Sequence, residues 1–182
     1  MSMSPRRVLA MTAAAGLVGV TVLAGTASAA PASSQQSAYT QQAVASGLTT
    51  AEAAKLQKRV DAVLDGQLGG KQVSATKVVY DGLTVTVDPR YKPGDAKKSA
   101  SGAEAACGYG HLCITVRGTN FDFYKCQKWY VSNWWGDGTF VNNQTPGTVA
   151  RFYNQDGSQR WSSTAYDSGT ATWDPIYSLK PC

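Results

Sequence analysis

Three of the four cysteines, and the only histidine, fall in one stretch, CGYGHLCITVRGTNFDFYKC, residues 107–126; the fourth cysteine, Cys182, is the last residue. That spacing limits what the chain can fold into. A structural zinc site needs thiolates paired at short intervals, with a second pair or histidines elsewhere. C-x5-C followed by C-x12-C, with a single histidine, does not supply it. A redox centre would need C-x-x-C, which is absent. An even number of cysteines in a small exported β-rich chain points to disulfides. Of three possible connectivities we expect Cys107–Cys113 and Cys126–Cys182. The first closes a short loop containing Gly108 and Gly110, and the second ties a strand to the chain end. On loop length the small ring contributes about 2 kcal/mol and the large one about 4 kcal/mol.

The N-terminus supplies the oxidising compartment that disulfides require. Arg6 and Arg7 precede an apolar run, VLAMTAAAGLVGVTVLAG, and then Ala27-Ser28-Ala29. A basic start, an apolar middle and a small-x-small end form a secretory signal over residues 1–29, with cleavage between Ala29 and Ala30. No second apolar segment follows, so the processed protein is expected to be secreted, extracellular, monomeric and clear of the membrane. Losing Arg6 and Arg7 lowers the net charge by two from +5. So mild an excess, scattered along the chain, argues against a nucleic-acid partner.

Residues 30–47, APASSQQSAYTQQAVASG, are small and polar and read as a disordered leader. Residues 48–88 read as one helix and one hairpin. Thr49-x-x-Glu52 has the form of a capping box, and Ala53, Leu56, Val60, Val63 and Leu64 share a helical face. The runs KVVY and LTVTV are joined by Asp81-Gly82, a strong hairpin signal. Such a unit is too small to be stable alone. Residues 89–106, PRYKPGDAKKSASGAEAA, have linker composition. From Cys107 onward the composition changes: fifteen of eighteen aromatic residues, and all five tryptophans, lie in residues 107–182. Short β-favouring runs separated by RGTN, WGDG, NQTPG, NQDGS and DSG predict an all-β antiparallel domain there.

Catalytic chemistry finds little to stand on. Residues 107–182 contain no glutamate, and of the aspartates there Asp137, Asp156 and Asp167 sit in turn contexts, where aspartate is ordinary. Oxidised cysteines leave no thiol nucleophile, and one histidine, His111, cannot assemble a Ser–His–Asp system or a metal site of its own. The chain reads as a non-enzyme with no cofactor and no metal. His111 itself is expected to be a solvated residue of the small disulfide loop.

Residues 107–182 resemble a known family. CGYGHLC, GTNFDFYKC, FVNNQTPGTVARFYNQDG and the final Pro181-Cys182 are similar to secreted actinobacterial proteins of the Streptomyces metalloproteinase inhibitor family, with Asn142–Thr148 the most specific piece. The resemblance implies a βγ-crystallin-like Greek-key sandwich and inhibition of extracellular metalloproteinases. The partner would be a secreted protease, met by the Cys107–Cys113 loop with Tyr109 and His111, or by the turn opening at Asn142 and Asn143. A rigid loop suits that work because its ordering entropy is spent before binding.

A different class of function, a carbohydrate or cell-wall binding module, is suggested by SNWWGDGTF with Trp134 and Trp135, whose rings could stack on sugars. Strand alternation turns one of two adjacent tryptophans inward, so at most one of this pair is expected at the surface.

Overall fold

The computed structural model describes residues 32–67, 69–92 and 107–182. The expected signal peptide, its Ala29–Ala30 cleavage site and most of the linker lie outside the described residues. Pro31–Cys182 forms one compact unit. Two helices, α1 (Ala32–Ala45) and α2 (Thr50–Asp65), precede eleven strands, and every strand pairing is antiparallel. The strands are β1 (Lys71–Gln72), β2 (Lys77–Tyr80), β3 (Leu83–Val87), β4 (His111–Val116), β5 (Thr119–Phe123) and β6 (Trp129–Tyr130). They continue with β7 (Asp137–Asn143), β8 (Val149–Tyr153), β9 (Gln159–Thr164), β10 (Asp167–Thr172) and β11 (Ser178–Lys180). They make a seven-stranded sheet, ordered β1-β2-β3-β5-β4-β7-β10, and a four-stranded sheet, ordered β6-β11-β8-β9.

The local signals work as their chemistry requires. Thr49 Oγ1 accepts from the Glu52 N–H at 3.2 Å while the Glu52 carboxylate accepts the Thr49 N–H at 2.8 Å, so α2 starts on a complete capping box. That pairing holds the Glu52 carboxyl below its ordinary pKa. Ala53, Leu56 and Val60 are buried on one face of α2. Asp81-Gly82 turns β2 into β3, with Tyr80 opposite Leu83 and Gly82 at φ 100°.

Two expectations are corrected. Residues 32–45 are helical where the small, polar composition predicts disorder. Distant polar partners fix them: Gln36 donates to the Asp61 carboxylate at 3.0 Å, Tyr39 Oη donates to the Gln72 carbonyl at 2.9 Å, and Gln42 accepts the Ala75 N–H at 2.7 Å. The second correction concerns the division between residues 48–88 and 107–182, which share one sheet. β3 pairs with β5 over its whole length, Val85 lying opposite Phe121. The hairpin buries Val78, Val85 and Val87, apolar surface that two strands alone could not cover.

The two sheets close on an aromatic core. Phe152 and Trp161 stack with centroids 4.0 Å apart, Phe140 of the larger sheet meets Trp161 at 5.3 Å, and Phe123 meets Trp129 at 5.7 Å. Trp173 is fully buried among them. The molecule is therefore mainly β: two antiparallel sheets, two helices and two disulfides. Cys107 joins Cys113 and Cys126 joins Cys182, with Cα separations of 5.7 and 5.4 Å, as expected.

Candidate functional site

The stapled loop leads into β4. Cys107 and Cys113 are buried, whereas Gly108, Tyr109 and Gly110 are exposed, and Tyr109 has 70% of its surface open to solvent. The loop is held at several points. His111 N–H donates to the Gly108 carbonyl at 3.2 Å, Gly110 N–H to the Asn143 carbonyl at 2.8 Å, and Asn143 Nδ2 to the Cys107 carbonyl at 3.0 Å. Gly110 turns the chain at φ 86°, a conformation that costs a side chain heavily. Tyr109 is thus an aromatic knob on a rigid turn.

His111 is not the solvated loop residue the sequence predicts. It opens β4, half-buried, with Nδ1 2.6 Å from Asp122 Oδ1 and its ring 5.5 Å from Tyr124. β4 and β5 pair Cys113 with Asp122, so His111 reaches the carboxylate diagonally across the ladder. The His111–Asp122 pair braces the loop, and 31% of the His111 side chain stays open to solvent.

Asn142 has no exposed surface for a partner to meet. β7 runs through Asn143, placing Asn142 opposite Leu112 on one side and Asp167 on the other, with no exposed surface (0%). Its Nδ2 donates to the Ser163 carbonyl at 2.9 Å, and its Oδ1 accepts from Gln144 Nε2, which also donates to the Pro181 carbonyl. The side chain couples the end of β7 to β9 and to the C-terminal segment beside Cys182. Asn143 is half-buried, with its amide spent on the loop.

Two further aromatics stand at the same end of the larger sheet. Tyr124 follows β5, Tyr166 precedes β10, and both are exposed. Strands β5, β4, β7 and β10 are consecutive neighbours, so Tyr124, Tyr109 and Tyr166 spread along a rim about 14 Å wide. Neither Tyr124 nor Tyr166 was singled out from the sequence. Alternation through FDFYKC could have found the first, since Phe121 and Phe123 are buried and Tyr124 falls outside the strand they anchor. Tyr166 carries no such signal.

One tryptophan of the pair is buried, as expected, Trp134 being 6% exposed and Trp135 52%, but both lie in the loop between β6 and β7, so the division is not strand alternation. Trp134 thus offers little outer surface to a sugar, and Trp135 is covered on one face by the Arg117 guanidinium, 3.6 Å from the ring centroid. A more open aromatic surface lies on the outer face of the four-stranded sheet. There Tyr130 and Tyr153 flank Ser178 at one register position, and Lys128 Nζ lies 5.4 and 5.3 Å from their centroids. Arg151 and Lys180 pair beside them, and the four strands carry no acidic residue.

Among the described residues no group of three or more His, Cys, Asp or Glu is placed to hold a metal ion, and no helix is long and apolar enough to cross a membrane. Compared with known protein families, curated proteins and solved structures, the chain matches none.

Proposed function

We propose that the protein is a secreted proteinase inhibitor, acting by binding and without chemistry of its own, on a βγ-crystallin-like Greek-key scaffold. The observation that carries this reading is Tyr109, 70% exposed on a loop closed by the Cys107–Cys113 disulfide and by Asn143. An aromatic side chain on a pre-ordered turn enters an apolar specificity pocket without first losing backbone entropy. Tyrosines are favoured as anchors at protein interfaces, and Tyr124 and Tyr166 extend the surface on either side. The resemblance of residues 107–182 to the Streptomyces metalloproteinase inhibitor family selects metalloproteinases as the target class. The disulfide-bonded protein titrated against a thermolysin-like metalloproteinase should inhibit stoichiometrically, and lose inhibition on reduction. Absence of inhibition at micromolar concentration, with the protein left uncleaved, would remove this target class.

A second reading, an extracellular glycan-binding module, is favoured by Tyr130 and Tyr153 with Lys128 between their rings. These rings take the place of Trp134 and Trp135 as the sugar platform. Retention on isolated cell walls that is lost in Tyr130→Ala/Tyr153→Ala, with proteinase inhibition intact, would establish it as a separate activity.

A further inference from the structure

At the opposite end of the β4–β5 hairpin from Tyr109, a cavity of about 490 Å³ opens between the last turns of α2, the Arg117–Gly118 turn and the loop carrying Ser132 to Trp134. Its volume falls in the range of sites that take small organic ligands. Its lining includes apolar Val63, Phe121 and Trp134 and three cations, Lys58, Arg59 and Arg117, with neutral polar residues between. No carboxylate lines it. Asp88, whose charge acts on Arg59, accepts the Arg90 N–H through Oδ1.

Two of the cations, Arg59 and Arg117, are held in place. Arg59 donates through Nη1 to the Asp88 carbonyl at 2.6 Å, and through Nη2 to the carbonyls of Arg117 and Gly118 at 3.1 and 3.0 Å. A guanidinium has five N–H donors, so three such bonds leave two for a ligand. Burial pulls the Arg59 guanidinium below its ordinary pKa, opposed by Asp88, yet arginine remains charged at neutral pH. Arg117 is fixed by its stack on Trp135.

Two backbone features converge on the same place. Among the described residues only Arg117 (φ 49°) and Asn133 (φ 59°) are non-glycine residues in the left-handed region, and both line this cavity. Arg117-Gly118 is a two-residue hairpin turn with both φ positive, where Asn-Gly is the favoured pair. Arginine there works against the turn and places its charge at the cavity. Strained backbone of this kind concentrates at ligand sites. Trp134 also lines the cavity, although its indole N–H is buried inside the protein, without a hydrogen-bond partner, rather than open to it. Trp129 and Trp173 share that lack but do not line the cavity.

We infer that this cavity binds an amphipathic organic anion. Its carboxylate, sulfonate or phosphate head pairs with Arg117, Arg59 and Lys58, and its ring or chain packs on Val63, Phe121 and Trp134. The site is independent of the tyrosine rim, from which the length of β4 separates it.

The test uses two probes with the same aromatic body on the disulfide-bonded protein: 1-anilinonaphthalene-8-sulfonate, and the uncharged N-phenyl-1-naphthylamine. The sulfonate should bind saturably at one site, about tenfold more tightly than the neutral probe, the margin of one charge-assisted hydrogen bond. Arg117→Gly suits the turn better, so it should keep or raise the melting temperature while weakening the sulfonate by about tenfold. Ala62→Trp, on the exposed surface of α2 at the cavity wall, should block both probes. Equal affinity for the two probes, or sulfonate binding indifferent to either substitution, would overturn the inference.

Discussion

His111 Nδ1 and Asp122 Oδ1, 2.6 Å apart, join the start of β4 to β5 and hold the exit of the stapled loop. Both side chains are half-buried, so the pair is worth more than an exposed one but less than a fully desolvated one. His111→Ala should lower stability by about 1 kcal/mol. Asp122→Asn, whose amide oxygen still accepts the ring N–H, should stay within about 0.5 kcal/mol. Urea unfolding of the two variants measures the difference.

Tyr109 faces solvent, with 70% of its surface exposed. Tyr109→Ala should therefore leave the melting temperature unchanged while weakening proteinase inhibition by about thirtyfold, the loss of a 2 kcal/mol anchor. Inhibition titrations and thermal unfolding on one preparation read both quantities. Equal inhibition by wild type and variant would move the contact elsewhere on the rim.

Asn142 illustrates the opposite case, a polar side chain wholly inside. Asn142→Ala leaves the Ser163 carbonyl and one Gln144 N–H without their partner. A loss of about 2–3 kcal/mol is expected, seen as a lower denaturant midpoint with an unchanged slope.

The two disulfides should separate by loop length. Cys107→Ser/Cys113→Ser should cost about 2 kcal/mol and Cys126→Ser/Cys182→Ser about 4 kcal/mol, because the second spans 56 residues of sequence against six. Denaturation of each double variant gives the comparison. The order should hold even where both values fall short.

Tyr80 sets an alkaline limit. Burial pushes its phenol up to about 12, and its Oη donates to the Val63 carbonyl at 2.9 Å. An unfolded phenol ionises near pH 10. The stabilisation from keeping Tyr80 protonated is therefore complete below about pH 10 and is lost as the pH climbs from there to about 12. Tyr80→Phe should cost about 1 kcal/mol at neutral pH. It should also flatten the fall in melting temperature between about pH 10 and pH 12, which a pH series of thermal melts would show.

Signals within a few residues were readable directly. The capping box at Thr49 and Glu52, the Asp81-Gly82 hairpin and the short Cys107–Cys113 ring each depend on side-chain spacing along a single helix or turn. Asn142, expected at the opening of a turn, and His111, expected in the solvated part of the disulfide loop, both belong to strands. β4 and β7 extend far enough to take them in, and pairing with Leu112 and Asp167 sets the inward face of Asn142.

By itself the sequence determined a β-rich chain stapled at two points, with a capped helix and a tight hairpin ahead of it, because those features follow from local geometry and from cysteine number. Only the tertiary structure decided that residues 32–45 are helical, that β3 joins β5, and that Lys58, Arg59 and Arg117 meet around one cavity. Each of these rests on contacts between segments about 25 to 60 residues apart, such as Gln36 with Asp61 and Arg59 with Gly118. A long-range contact repays the entropy of closing its loop only when many such contacts form together, so no short window of sequence records it.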